Sequence, residues 1–254
     1  MKLNKWAVAL GSLLLAGSSA TAQTTSVGVF GGISIPKLES ADDNVFSKGY
    51  ASRSDATFGV FADFGISKHF SIKTAISYSG QGGIREGVQP IPSEALPAGI
   101  PLPPVQLFAD FSNEAILKYL EIPVLAKLEW GNKFRYFVNA GPYIGFLMSA
   151  KQQTDGNSGL YLDESGSAAI PGVPSISFTK ETDVKDNLNT VNVGLTAGGG
   201  LKYVLAERHE LILDARAAYG LTHLQKDTEA NGKTKTGGVF VSLGYGFRLG
   251  GAAK

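Results

Sequence analysis

The stretch KYLEIPVLAKLEWGNKFRYFVNAGPYIGF, residues 118–146, has the pattern of two β-strands joined by a tight turn at 131–133. In the first strand, 119–130, every second residue is apolar, as seen at Leu120, Ile122, Val124, Ala126, Leu128 and Trp130. The residues between them are mostly polar or charged, so only one face of the strand is apolar. Both strands reach the roughly 9–11 tilted residues that cross a bilayer. The pattern therefore predicts a hairpin in the wall of a transmembrane barrel.

Six further segments alternate in the same way, at 25–35, 57–66, 70–79, 191–205, 210–223 and 239–249. The connections between the eight strands are in turn long and short. The long ones are 36–55, 81–113, 151–189 and 224–237, and the third of them holds many Gly, Ser and Asp residues. We therefore expect an all-β fold, an eight-stranded antiparallel up-and-down transmembrane β-barrel. In such barrels the short turns are periplasmic, which predicts that both termini are periplasmic too.

The N-terminus has the pattern of a secretory signal. Lys2 and Lys5 precede an apolar run, and Ala20-Thr21-Ala22 forms a small-x-small cleavage site. We expect a cleaved signal peptide at 1–22 and one barrel domain at 23–254. Without the signal, the chain carries 21 basic and 22 acidic residues, which gives no field that would attract nucleic acid. The chain has no Cys, so disulfides and thiolate metal sites are excluded.

The polar faces must point into the lumen if lipid lies outside the barrel. The charged residues on these faces are Asp63, Lys73, Glu121, Lys127, Glu129, Arg135, Lys202, Asp214, Arg216 and Arg248. Counting across each tight turn predicts three charge pairs, Asp63 with Lys73, Glu129 with Arg135, and Lys202 with Asp214. Eight strands leave space for side chains and little else, so pairing is preferred over an ion pathway. Inward glycines, such as Gly28 and Gly194, are expected to make room for Phe61 and Tyr143.

Pro123 and Pro142 conflict with a closed barrel, because a closed sheet has no edge at which a missing N–H donor is harmless. We expect them to mark a bulge or a local break in strand pairing.

Little in the chain indicates catalysis. His223 is the one histidine placed near the rim that carries the long loops, where Ser77, Ser79 or Ser149 would be its partner, but no spacing motif selects any of these residues. The segment Asp155-Gly156-Asn157-Ser158-Gly159 resembles the start of a calcium loop, yet the twelfth position is Gly166 instead of a bidentate Glu. We therefore predict no catalytic, cofactor-binding or metal-binding residues and no cofactor.

The words YLEIPVLAKLEW (119–130), NAGPYIGF (139–146) and LTAGGGLKYVL (195–205) resemble the strand words of the PorT-like outer-membrane β-barrel family. The order and spacing of the strands also resemble those of the family over essentially the whole mature chain. It implies location in the outer membrane and, from the founding type of the family, a role in assisting protein secretion.

These observations favour a monomeric, non-enzymatic outer-membrane protein whose long loops have a structural, adhesion or partner-binding role. The expected partners are outer-membrane lipid and lipopolysaccharide, and envelope or secretion-system proteins. Two alternatives stay open, an outer-membrane enzyme acting on lipid acyl chains and a soluble lipocalin-like carrier. A carrier would need its apolar alternates inside the barrel.

Overall fold

The computed structural model describes residues 25–92, 96 and 103–249, so the predicted signal peptide lies outside the described residues. Almost all regular structure is β. The strands are β1 (Thr25–Ser40), β2 (Asp55–Gly65), β3 (Phe70–Arg85), β4 (Val88–Pro90), β5 (Phe108–Asp110), β6 (Ser112–Gly131), β7 (Phe134–Asp155), β8 (Asn157–Ser158), β9 (Ile176–Ser177), β10 (Lys180–Asp183), β11 (Val191–Ala206), β12 (His209–Gly220) and β13 (Thr234–Arg248). A 3-10 turn (Lys185–Asn187) and a short helix, α1 (Thr228–Asn231), complete the elements. Within the described ranges no helix is long and apolar enough to span a membrane.

The eight long strands form a closed antiparallel barrel in chain order, β1-β2-β3-β6-β7-β11-β12-β13, with β13 paired back onto β1. This confirms the predicted fold class and strand count. Short turns join β2 to β3, β6 to β7 and β11 to β12, and the described chain ends lie at the same end of the barrel. We call this end the turn end and the opposite one the loop end.

The predicted faces are confirmed along the wall. Large apolar side chains on the outward face are exposed, with 53% at Val60, 52% at Ile76 and 54% at Leu195. Their inward neighbours are buried, including Phe61, Ser77 and Thr196. The soluble lipocalin-like alternative is therefore wrong, because such a carrier needs its apolar side chains inside.

Aromatic side chains lie near both ends of the outward apolar surface. Phe134 packs against Tyr203 at the turn end in a tilted arrangement, with ring centroids 4.7 Å apart. Phe58 stacks on Tyr78 toward the loop end at 4.8 Å. These two levels are those expected of interfacial aromatic girdles.

Several strands continue farther toward the loop end than the alternation predicts. Residues 36–40, 81–85, 112–113 and 151–155 were predicted as parts of loops and 114–118 were given to no strand, but all of them belong to β1, β3, β6 or β7. We call this part of the barrel the loop-end extension. Here the pattern reverses, because Leu38, Leu117 and Ala150 face inward and are buried whereas Lys37 and Gln153 are exposed. Sequence alternation alone cannot distinguish this arrangement from a loop, since its apolar set is short and mixed with Gln, Asn and Thr.

The two wall prolines interrupt pairing, as predicted. The β6–β7 ladder has no partners between Pro123–Tyr143 and Ala126–Ala140, and the β3–β6 ladder has a gap between Thr74–Val124 and Ser77–Glu121. The register is the same on both sides of each gap, so Pro123 causes a local break and not a bulge. A true register shift occurs farther along, between Lys118 and Tyr119.

Candidate functional site

The lumen at the turn end is filled by a chain of opposite charges. The ion pairs are Asp63–Lys127 (2.6 Å), Lys127–Glu129 (2.7 Å), Glu129–Lys202 (2.8 Å), Lys202–Glu210 (3.4 Å) and Glu210–Arg248 (2.5 Å). They connect β2, β6, β11, β12 and β13 across the barrel axis. Each buried charge therefore touches at least one charge of opposite sign, which offsets the cost of removing it from water.

A second pair lies nearer the middle of the barrel. The Lys73 ammonium is 2.9 Å from an Asp214 carboxylate oxygen and 5.2 Å from the centre of the Phe61 ring. Phe61 fits inside because Gly28 has no side chain, since a Cβ there would lie 2.6 Å from the Phe61 ring. Gly194 makes room for Tyr143 in the same way, at 2.4 Å. The expected role of these two glycines is thus confirmed.

The predicted charge pairs are correct in one case out of the three. Arg135 does pair with Glu129, at 2.9 Å. Asp63 and Lys73 are direct register partners, yet each pairs instead with a charge on another strand. Lys202 lies opposite Ile212, so its predicted partner Asp214 is out of register. The lumen is so narrow that long side chains reach across it, which makes distant strands better partners than neighbours.

Glu121 is placed apart from these charges. Its carboxylate accepts a hydrogen bond from Gln81 Nε2 at 3.0 Å, and it has no ion pair among the described residues.

Glu210, which joins Lys202 to Arg248 in the network, was missed by sequence reasoning. It is the second residue of its strand, next to a turn, where the alternation has only just begun.

The lumen of the loop-end extension is closed by an apolar layer. Its buried members are Leu38, Leu117, Tyr119, Leu147, Ala150 and Leu224. In the middle of the barrel an internal cavity, lined by Phe61, Lys73 and Asp214 among others, has a volume of about 10 Å³. Such a space holds about one water molecule. The barrel is thus blocked at two levels by two kinds of chemistry.

Parts of the long connections 81–113 and 151–189 fold together at the loop end. Strands β4 and β5 pair with each other, as do β8 and β9, and Tyr161 bridges Phe108 and Ala169. These segments, 86–92, 103–111 and 156–178, form what we call the loop subdomain. Its buried core consists of Ile91, Leu107, Ala109, Phe111 and Leu160. Pro90 is buried at the end of the three-residue strand β4, where it pairs with Phe108.

A cavity of about 570 Å³ lies between the barrel mouth and the loop subdomain. The barrel contributes Leu38, Leu117 and Asn113 to its lining, and the subdomain contributes Ile91 and Phe178. A volume of roughly 300–1,000 Å³ is typical of small-molecule sites. This cavity is therefore a candidate binding site, and no sequence pattern pointed to it.

Two titratable groups of this cavity have environments that alter their ionisation. Burial raises the pKa of the Tyr50 hydroxyl. Burial lowers the pKa of the Arg85 guanidinium, whose one hydrogen bond in the described chain is to the Val45 carbonyl oxygen, at 2.9 Å. Arg85 is thus a partly desolvated cation with no carboxylate in contact.

The sequence-selected catalytic candidates are not brought together. Ser77 donates to the Glu121 carbonyl oxygen at 3.3 Å, and Ser79 accepts from Gln81. The His223 imidazole makes no hydrogen bond to any described residue, and its carbonyl oxygen accepts from Asn189. In the described part of the chain, no group of three or more His, Asp or Glu side chains is placed to hold a metal ion.

The decisive comparison is with protein families. The family model of the outer membrane protein beta-barrel domain matches residues 21–226. The chain belongs to this family. As a member of the outer membrane protein beta-barrel domain family, it is an outer-membrane, transmembrane β-barrel protein, which confirms the coarser part of the predicted location and class. The family match supports the general outer-membrane β-barrel family and does not test membership of the PorT-like group.

Solved structures similar to this family member have low sequence identity. They include OprG from Pseudomonas aeruginosa, 11% identical, covering 91% of this chain and 97% of that one with a TM-score of 0.44. Neisserial surface protein A is 11% identical, and the match covers 88% of this chain and 97% of that one with a TM-score of 0.39. Ail of Yersinia pestis is 11% identical and covers 88% and 98% with a TM-score of 0.37. No functionally curated protein matches the chain.

Proposed function

We propose that the protein is a closed outer-membrane barrel, neither a pore nor an enzyme, that acts by binding a partner at its loop end. The observation that carries the proposal is the contrast along the barrel axis. The internal cavity at mid-barrel has a volume of about 10 Å³, whereas the loop end offers a cavity of about 570 Å³ under a folded subdomain.

The proposal includes an orientation, with the loop end outside the cell and both termini in the periplasm. It is supported by the strict alternation of short and long connections, because barrels of this class have short periplasmic turns and longer extracellular loops. The expected partners are outer-membrane lipid, lipopolysaccharide, and envelope or secretion-system proteins. Assistance to protein secretion, as the PorT-like resemblance implies, is one such role.

The closure is tested by conductance. Purified protein in a planar bilayer should show no steady current, because the ion pairs and the apolar layer both block the axis. A porin reconstituted by the same protocol serves as the positive control for insertion. Reproducible open channels of uniform size would overturn the proposed function.

The orientation is tested with single cysteines, for which the absence of Cys provides a clean background. Ser165→Cys lies on the exposed surface of the loop subdomain, and Asn132→Cys lies in the turn between β6 and β7. A membrane-impermeant maleimide added to whole cells should label the first and label the second only after the outer membrane is permeabilised. The opposite order would reverse the orientation.

The enzyme alternative depends on His223, the sole rim histidine that sequence reasoning offered. His223→Ala should leave the acylation of envelope lipids unchanged when it is expressed at the wild-type level. Altered acylation in that variant would favour a lipid-modifying enzyme instead.

A further inference from the structure

From the lining of the loop-end cavity we infer that it binds a single-chain amphiphile with an anionic head group, such as a fatty acid. This inference rests on the proposed function, since it names the partner class of that same site. The side chains that line the barrel side of the cavity are ordered by polarity from its mouth to its floor.

The mouth is defined by one continuous row of register partners. Arg85 pairs with Asn113, Asn113 with Thr154, and Thr154 with Lys180, so the row crosses β3, β6, β7 and β10. All four residues line the cavity. Neighbouring strands are about 4.8 Å apart, which places the two basic residues about 14 Å from each other along the row. Both side chains are long enough to reach one anion held above Asn113 and Thr154.

The rows beneath become progressively apolar. Two residues farther in, Ala115 pairs with Gln152, which pairs with Thr182. Below these lie Leu117 and Val184, and the floor is completed by Leu188 and Leu224. The barrel-side wall of the cavity thus changes from basic, through neutral polar, to aliphatic over a few residues of strand, and Ile91 and Phe178 of the loop subdomain face it from the other side. A ligand that matches this order has a charged end at the mouth and a hydrocarbon end on the floor.

The sign of the charge follows from the charged residues among those that line the cavity. These are Arg85, Lys151 and Lys180, with no Asp or Glu in the described lining. Lys151 has a partner, because its ammonium is 2.6 Å from Glu181. Arg85 and Lys180 have no carboxylate within 4 Å in the described part of the chain. Two cations at an apolar opening favour a carboxylate or phosphate, since charge-assisted hydrogen bonds are the stronger ones.

The volume limits the apolar part of the ligand. About 570 Å³ is the size of a pocket for one compact molecule, and several acyl chains of one lipid would exceed it. The floor is a closed layer in which Leu117 is 2% exposed and Leu224 is 4% exposed. A chain that enters from the mouth therefore ends on this layer and does not continue into the barrel.

The experiment uses a dodecanoic acid that carries a diazirine and an alkyne as photoreactive probe. The full-length protein is held in amphipol, because detergent would compete for the site. After irradiation, adducts should map to 113–117, 178–188 and 224. Unlabelled dodecanoate should compete at least about tenfold better than dodecanol, the loss of one charge-assisted contact being of this order. Equal competition by the two, or adducts confined to the lipid-facing wall, would overturn the inference.

The charge requirement is tested by Arg85→Gln and Lys180→Gln, made singly and together. Each variant should weaken dodecanoate competition, and the double variant should abolish the preference over dodecanol. Lys48→Gln is the matched control, since Lys48 does not line the cavity and pairs with exposed Asp43. Heat-modifiable migration on gels verifies the barrel of each variant. An unchanged preference in the double variant would refute the assignment of the head-group site.

The two proposals fail in different ways. A barrel that does not conduct and takes up no probe in the cavity contradicts the ligand class and leaves partner binding in place. A barrel with steady conductance contradicts the proposed function, whatever the probe labels.

Discussion

The membrane-spanning part of the barrel and the loop-end extension are built from the same strands but place their apolar side chains on opposite faces. In the membrane-spanning part, apolar side chains face outward and ion pairs fill the lumen, whereas in the loop-end extension leucines face inward and polar residues face outward. β6 shows both, with Val124 outward and 49% exposed and Leu117 inward and 2% exposed. The direction of the apolar face therefore depends on whether lipid or water surrounds the barrel. The apolar side chains change from inward to outward between Leu117 and Leu120, which marks the edge of the membrane-spanning part on the side of the loop end.

The difference also separates two ways of closing a barrel. Charges close the turn end and must all be satisfied, so the closure depends on every member of a network. Leucines close the loop end, where packing is non-directional and no partner is needed. A cavity for a ligand is easier to build on the second kind of floor, because an apolar surface does not compete for the ligand's polar head.

The largest expected effect comes from breaking the charged closure. Glu129→Ala leaves Lys202 and Lys127 each without one of their carboxylates, at 2.8 Å and 2.7 Å. We expect a loss of about 3–5 kcal/mol in the free energy of unfolding, measured by urea titration in lipid vesicles. Glu181→Ala, which breaks the exposed pair with Lys151, should cause no measurable change. Similar values for the two variants would mean that the lumen is hydrated and the network is not the closure.

The apolar closure is next in order. Leu117→Ala removes a fully buried side chain from the layer that contains Leu38 and Leu224. We expect the free energy of unfolding to fall by about 2–5 kcal/mol, which is typical of substitutions that leave a cavity. Leu162→Ala, at a loop position that is 47% exposed, is the control and should be close to neutral in the same unfolding assay. A neutral Leu117 variant would show that the loop-end extension does not contribute to folding.

The outward surfaces give a somewhat smaller contrast. Ile76→Arg or Leu195→Arg should lower the free energy of unfolding by roughly 2–4 kcal/mol, because a charge on the lipid-facing wall must be buried in hydrocarbon. Gln153→Arg, on the outward face of the extension, is placed in water and should cost little. Equal tolerance at Ile76 and Gln153 would contradict the boundary between the two parts.

Sequence reasoning succeeded where one periodic rule applies over many residues. The strand count, the faces of β3 and β11 and the positions of the short turns all follow from alternation. It also found the pairing gap at Pro123, since a missing donor is a local property of one residue. The signal peptide and the periplasmic termini stay predictions.

What sequence reasoning missed depends on proximity in space. The partner of Lys73 is Asp214, far along the chain, and nothing local indicates how strand stagger brings them together. The loop subdomain was missed because Ile91, Leu107 and Leu160 are isolated among prolines and glycines, with no period to connect them. The cavity was missed for the same reason, since its wall becomes visible only when the register of β3, β6, β7 and β10 is known.

The smallest effect is expected in the loop subdomain, at the turn 163–168. The Asp163 carboxylate accepts hydrogen bonds from the Ser165 and Ser167 hydroxyls and from the Ala168 N–H at 2.8 Å, which hold its pKa below the usual range. Because the folded pKa is the lower one, this contribution is present above the ordinary Asp value of about 3.9 and is lost as the pH falls through the folded value.

Amide hydrogen exchange at Ser167 and Ala168 should therefore show the turn intact at neutral pH and loosened in strong acid, while protection of the barrel strands is unchanged by this group. Asp163→Asn should accelerate exchange at the same two amides already at neutral pH, since the amide oxygen is a weaker acceptor than the carboxylate. Glu164→Gln is the matched control, because the Glu164 side chain makes no hydrogen bond within the turn. If Asp163→Asn instead lowered the stability of the whole barrel, the loop subdomain and the barrel would form one cooperative unit, and the turn would not loosen independently of the strands.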